Sequence, residues 1–593
     1  MRLPNCLRQA ALAVLIAGTV PAFGQDQSSD RVQPEQGTAS ASVADGKREA
    51  VRAGKHMVVA ANPLAAEAGL KMLRAGGNAI DAMVATQFVL GLVEPQSSGV
   101  GGGAFLVYFD GEDGVLTTFD GRETAPALAT PTLFLDEAGD PLQFFDAVVG
   151  GRSVGTPGTV MLMAGVHERY GKLDWRTVLE PAIELALEGF EVSPRLVGAI
   201  ADDEERLSRY PGTRRYFFHG DGTPLQAGER LTNVPYAATL RLIAEEGPNA
   251  FYRGPLADKI VETVRGAKGN PGVLSRSDLE NYRIVEREPV CVTYRAHEVC
   301  GMGPPSSGAL TVGQILKLVE PFDLAGLGFM NAESWRVIGE ASRLAFADRG
   351  RYIADTDHVA VPVKGLIDED YLSERSALIE DGGILGESAV QPGNPPWDHA
   401  RLQGDDASIE LPSTSHISIA DEDGNVVSLT TTIENGFGSR LMVGGFLLNN
   451  ELTDFSFKTH EDGMPIANAV APGKRPRSSM APTIVMREGR PVYAVGSPGG
   501  SRIIGYVAQA LIGLIDWDLD PQGAASLPHL VNRFGVYDVE EDSEAADLAA
   551  PLVELGYEVT VRDLNSGLHI IEMTPEGFVG GADPRREGVA IGD

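Results

Sequence analysis

The chain has 593 residues, with 49 Lys+Arg against 82 Asp+Glu, a formal net charge of −33, and 43 % hydrophobic residues. That apolar fraction excludes a disordered chain. The charge argues against nucleic acid or an anionic membrane as partner, because phosphates would be repelled at long range, and three Cys cannot build a disulfide scaffold or a four-Cys zinc site.

In chain order, residues 1–24 (MRLPNCLRQAALAVLIAGTVPAFG) read as a secretory signal peptide. Arg2 and Arg8 form a basic start, an apolar run too short to span a bilayer follows, and Ala22-Phe23-Gly24 offers a small-x-small cleavage site. Residues 25–50 are polar and read as a disordered leader. The expected product is exported, periplasmic or secreted, without membrane insertion. Apolar spacing predicts helices over 65–73, 79–90, 177–187, 237–246, 310–319, 334–347 and 506–514, with Gly76-Gly77 breaking the first two apart. Phe105 to Phe109 and Leu116 to Phe119 read as strands. Val290 to Tyr294 and Glu298 to Met302 read as two strands around a tight turn at Arg295-Ala296. Counting back from that turn sets Cys291 opposite Cys300 at a close, non-hydrogen-bonded position. A cross-strand disulfide and two free thiols both fit this placement. Residues 380–413, rich in Gly, Pro and acids, read as an exposed loop or linker. From 415 onward strand signals dominate. Helices mixed with strands point to a layered α/β fold.

Several motif templates fail. GVGGGA at Gly99 to Ala104 is followed by a strand, FLVYF, where a dinucleotide fingerprint needs a helix. The sequence has no HExxH pair, so neither a metal nor another cofactor is expected.

The stretch STSHISIADEDGNVVSLTTTIENGFG, from Ser413 to Gly438, has the pattern of a β-hairpin. A three-residue loop Glu422-Asp423-Gly424, with Gly424 in the left-handed region, pairs Asp421 with Asn425. Counting back then places Thr414 opposite Thr432 on one face. A plain Thr–Thr cross-strand pair and a nucleophile with a supporting hydroxyl both fit.

These residues resemble the small-subunit signature of the γ-glutamyltransferase (glutathione hydrolase) family of N-terminal-nucleophile hydrolases. The resemblance also covers GGNAIDAMVAT (76–86), EPQSSGVGGGAFLVYFDG (94–111), DGRETAP (120–126), PPSSGAL (304–310), EASRLAFADRGRYIAD (340–355), LLNNELTDFS (447–456), GKRPRSSMAPT (473–483) and GSPGGSRII (496–504). It implies one four-layer αββα fold made of two chains after self-cleavage of the Ser413–Thr414 bond. Residues 51–413 would form the large subunit and 414–593 the small catalytic subunit, associated as a heterodimer. Thr414 would be the nucleophile, with its freed α-amine as base; such an amine ordinarily titrates at about 7.7–8.0. Thr432 would bond its hydroxyl, and Gly499 and Gly500 would supply oxyanion N–H groups. Arg122, Ser478 and Ser479 would bind the α-carboxylate of a γ-glutamyl group. Glu434, Glu451 and Asp454 would hold its ammonium; position 434 is Asn in many relatives. Lys474, Arg475 and Arg477 would add a locally basic spot. Expected substrates are glutathione and related γ-glutamyl amides, with water or amino-acid and peptide acceptors. The segment between Asp454 and Ser478 is shorter than in many relatives and has no Tyr or Trp, which predicts a more open site. Two alternatives stand beside this: a glutaryl or cephalosporin acylase of the same family, and an unprocessed binding homologue.

Overall fold

Alternating and β-branched apolar runs form strands, and these assemble into two stacked sheets. The computed structural model describes residues 48–379, 382–397, 402–406, 408 and 410–593; the expected signal peptide and the leader through residue 47 lie outside them. The sheet strands are β1 (Val51–Ala53), β2 (Met57–Ala60), β3 (Gly103–Asp110), β4 (Val115–Gly121), β5 (Val285–Arg287), β6 (Val290–Tyr294), β7 (His297–Gly301), β8 (Ser415–Ala420), β9 (Val426–Thr432), β10 (Thr483–Arg487), β11 (Arg490–Gly496), β12 (His569–Thr574), β13 (Gly577–Ala582) and β14 (Val589–Gly592). Among the described residues, one seven-stranded sheet runs β14-β2-β8-β9-β3-β4-β5 and the other runs β1-β13-β12-β11-β10-β7-β6. Residues before and after 414 therefore share both sheets.

Helices cover the two outer faces. The first sheet packs under α1 (Pro63–Arg74), α2 (Ala79–Val93), α3 (Trp175–Glu188) and α4 (Val234–Glu246). The second packs under α5 (Gly308–Val319), α6 (Ala332–Tyr352) and α7 (Ile503–Ile515). Met57, Val59, Val107, Ile484, Ala494 and Ile571 fill the space between the sheets. The result is the expected αββα sandwich. Helix α2 is buried on every side, as a helix apolar all round must be. It starts at a capping box in which Asn78 and Asp81 satisfy each other's backbone donors. Each expected helix forms and runs further at one or both ends.

The β8–β9 register matches the sequence-based one, with Ser415 opposite Thr431 and Ala420 opposite Val426. Asp421 anchors the loop by accepting from the amides of Asp423 and Asn425, both at 3.0 Å, and from Ala79 N at the start of α2 at 2.8 Å. In the other sheet Cys291 lies opposite Cys300, and a disulfide joins them.

The sheets meet closely at one point beneath the hairpin. A Cβ at Gly496 would lie 2.1 Å from the His416 ring, so only glycine lets the ring pass. His416 stacks on His569 at 6.2 Å between ring centres, and His569 Nδ1 lies 2.8 Å from the His416 carbonyl.

At the described end of the expected leader, Arg48 Nη1 donates to the Gly588 carbonyl at 2.7 Å. One expectation changes. The 380–413 segment is not exposed throughout, because Asp406, Glu410, Leu411 and Ser413 are buried. Its acids explain this, since Asp406 pairs with Arg477 at 2.8 Å and Glu410 with Arg349.

Candidate active site

The ladder that sets β8 beside β9 carries Thr414 and Thr432 to its end, where their hydroxyl oxygens lie 3.1 Å apart. Thr432 Oγ1 also accepts from Glu434 N at 2.9 Å, which leaves its own proton available for Thr414. Thr414 is 5 % exposed and has φ 100°. A β-branched side chain in that region is strained, at a cost on the order of 1–3 kcal/mol. Neighbours hold the strained bond on both sides: Ser413 Oγ donates to the Gln96 carbonyl at 2.9 Å, and Arg586 Nη1 donates to the Thr414 carbonyl at 3.2 Å.

A pocket opens beside Thr414. Arg122, Thr432, Glu434, Glu451, Asp454, Ser478, Ser479 and Gly500 all line it, together with Glu410 and Leu411. Residues far apart in sequence thus converge as expected. Gly499 directly precedes Gly500, and both adopt positive φ, 139° and 56°. A Cβ on Gly500 would meet the backbone of Glu410 and Leu411 at 2.9 Å, so the segment before Thr414 lies across this turn.

The charges are arranged differently from the simple expectation. Arg122 is not a free fork. It donates to Glu451 and Asp454, and to the carbonyls of Arg477 at 2.8 Å and Pro476 at 3.3 Å. The basic spot is also tied up. Lys474 Nζ donates to the carbonyls of Ala467 and Ala469, Arg475 lies 3.3 Å from Asp120, and Arg477 pairs with Asp406.

Acids outnumber cations on the Arg122 wall. Glu123, Glu434, Glu451 and Asp454 are all buried there, and each retains a carboxylate oxygen with no donor in the fold. Burial, followed by the charge of Glu451, pushes Glu123 well above the usual carboxylate range and Glu434 up to about 8. Burial raises Asp454 well above its ordinary value despite Arg122. Isolated buried carboxylates respond to desolvation by holding protons. Sequence reasoning gave no role to Glu123, Arg349, Glu410 or Arg586, although the first two stand inside matched motifs.

An αββα sandwich with a hydroxyl at the head of a central strand, facing such a pocket, is the architecture of N-terminal-nucleophile hydrolases. The chain belongs to the γ-glutamyltranspeptidase family, whose profile, described as Gamma-glutamyltranspeptidase, matches residues 65–593. It is 36 % identical over 602 residues to the glutathione hydrolase proenzyme of Bacillus subtilis strain 168, covering 99 % of this chain and 98 % of that protein. It is 38 % identical over 535 residues to the Acylase ACY 1 proenzyme of Pseudomonas sp. strain SE83, covering 89 % and 91 %. Its fold is similar to a crystal structure of cephalosporin acylase from Bacillus halodurans, with TM-score 0.79, 28 % identity, and coverage of 93 % of this chain and 98 % of that one. The chain is therefore an enzyme of this hydrolase family.

Proposed function

We propose that the chain is an exported proenzyme that cuts itself between Ser413 and Thr414 and then transfers γ-glutamyl groups from glutathione and related amides to water or to amino-acid and peptide acceptors. The strained φ of Thr414 supports the cleavage position, because hydrolysis releases the backbone from its forbidden region. Cleavage turns the Thr414 amide into an α-amine, which can accept a proton where an amide cannot. Thr414 Oγ1 then attacks the γ-carbonyl carbon and gives its proton to that amine. The carbonyl oxygen takes the negative charge facing the Gly499–Gly500 turn. Collapse breaks the C–N bond, the proton passes to the leaving amine, and a γ-glutamyl ester remains on Thr414. Water or an acceptor amine reverses these steps. The large and small chains stay together because both sheets contain strands from each.

The observation that carries this reading is the surplus of buried carboxylates beside Thr414. With Arg122 already engaged, the wall needs a further positive charge, and the substrate ammonium supplies it. The acylase relatives favour a second reading, in which glutaryl-type side chains without that ammonium are the donors. Purified protein run on a denaturing gel, with N-terminal sequencing, should show two bands, the smaller beginning at Thr414. The cut enzyme should then hydrolyse a γ-glutamyl anilide at least tenfold faster than the glutaryl anilide. A preference for the glutaryl compound would establish the second reading, and an uncut, inert protein would remove both.

A further inference from the structure

A buried cation outside the expected substrate-binding set stands behind the same pocket, bonded to Glu410 and Ser479, which line it. Arg349 lies in the last turn of α6 and is 2 % exposed. Its Nε donates to Ser307 Oγ at 2.8 Å, and its Nη2 donates to Ser479 Oγ at 2.7 Å and to the Glu410 carboxylate. Ser479 Oγ in turn donates to the other oxygen of Glu410. The direction of each bond follows from chemistry. A guanidinium has donors only, so Ser479 must accept from Arg349 and has its single proton left for an acceptor in the pocket. Ser307 fixes the far side of the guanidinium and so fixes that direction. Arg477 lies 3.8 Å from the same carboxylate as a second cation. Burial opposes its charge, yet Arg349 and Arg477 hold the Glu410 carboxyl below its usual range.

Glu410 belongs to the segment just before the expected cut. Together with Leu411 it leaves the pocket a cavity of about 20 Å³, the room of roughly one water molecule. A substrate acyl group cannot enter until this segment leaves. When it leaves, Arg349 and Ser479 lose a buried carboxylate, and the acyl group that replaces it carries one.

We propose that Arg349 is a specificity-determining residue that shares a carboxylate subsite with Ser479, and that Glu410 in the uncut chain stands where the substrate's free carboxylate later binds. This rests on the reading of the chain as a Thr414 acyl-transfer enzyme, but not on the choice between γ-glutamyl and glutaryl donors, since both bear that carboxylate.

The test compares cut wild type, Arg349→Gln and Arg349→Lys on three p-nitroanilides: γ-glutamyl, glutaryl, and 4-aminobutyryl, which lacks the carboxylate. Losing one charge-assisted contact to a carboxylate should raise KM about tenfold or more for whichever carboxylate donor wild type uses, with kcat changed less than about threefold. The 4-aminobutyryl donor should lose no more than about twofold in kcat/KM. Arg349→Lys should shift KM the same way but less, because one ammonium cannot hold Ser307 and Ser479 in a fixed fork. Unchanged KM, a loss confined to kcat, or equal losses on all three donors overturns the proposal. If Arg349→Gln does not mature, Arg349→Lys decides, and a wild-type KM there overturns it. A peptide with the sequence Glu410-Leu411-Pro412-Ser413 should inhibit the cut enzyme competitively, and the same peptide carrying Glu410→Gln should bind at least tenfold more weakly. Equal inhibition by the two overturns the role of Glu410. If wild type turns over none of the anilides, the functional reading fails, and displacement of a labelled peptide by glutarate still decides the subsite: competition supports it and none overturns it.

Discussion

The end of the β8–β9 hairpin carries two neutral hydroxyls joined by one 3.1 Å hydrogen bond, whereas the wall opposite carries Glu123, Glu434, Glu451 and Asp454 around Arg122. The hairpin is positioned by an unbroken antiparallel ladder, while the wall is assembled from loops far apart in sequence. The difference separates two tasks. Hydroxyls cost little to bury when hydrogen-bonded and can be placed to within a fraction of an ångström by a sheet. Buried carboxylates cost much more, and they persist where a ligand completes their charge. The hairpin is therefore expected to govern kcat and the wall to govern KM.

The strongest break in that division is Thr414→Ala, which should leave the chain uncut and lower activity by a factor of about 10⁴ or more, as removal of a nucleophile does elsewhere. A gel and a γ-glutamyl anilide assay check both parts. Thr432→Ala removes one hydrogen bond to the nucleophile and should lower kcat about 10- to 100-fold with KM little changed. Asp454→Asn should do the reverse on the other side, raising KM for a γ-glutamyl donor about 10- to 100-fold and sparing a glutaryl donor. A fall in kcat alone in the Asp454 variant would erase the distinction between the two regions.

Protonation sharpens the comparison on a smaller scale. Glu434 is held up to about 8 by burial and by Glu451, with Asn450 donating to it and Arg440 opposing the shift. It must ionise to receive an ammonium, so inhibition by L-glutamate should strengthen as pH rises from 6 to 8, by at most about tenfold per pH unit. Glu434→Gln should flatten that rise. Stability carries the matching sign: the folded value lies above the unfolded one, so this group subtracts stability as pH rises from the unfolded value toward 8. The smallest effect concerns leaving groups. Phe457 of the short 455–477 segment stacks inward on Phe134 at 4.6 Å. Enlarging the γ-glutamyl leaving group should change kcat/KM by no more than about threefold; strong discrimination would show that the site is closed after all.

The hairpin was legible in the sequence because strand register is arithmetic once the turn is located. Asp421, Gly424 and Asn425 located it, so the Thr414–Thr432 pair followed. The same arithmetic paired Cys291 with Cys300 but said nothing of their oxidation. The wall was legible only as a list of residues. Motif matches brought Arg122, Glu451 and Asp454 to one place, but they could not show that Arg122 pairs with the two acids. Nor could composition show that the 380–413 segment turns inward, since its Gly, Pro and acidic residues look solvated until Arg349 and Arg477 are seen to face them.

The passage of the His416 ring across Gly496 has a consequence for acid tolerance. Burial holds His416 well below its ordinary value and His569 at about 4, so both are neutral between the sheets. Their folded values lie below the unfolded 6.5, so the stability they allow is complete above that pH and is lost as pH falls through the folded values. On the surface, acidification works the other way, since protonating carboxylates shrinks the net charge of −33 and relaxes its repulsion. Acid inactivation of this protein should therefore begin in the middle of the sandwich, at the joint that holds the nucleophile strand against its partner sheet.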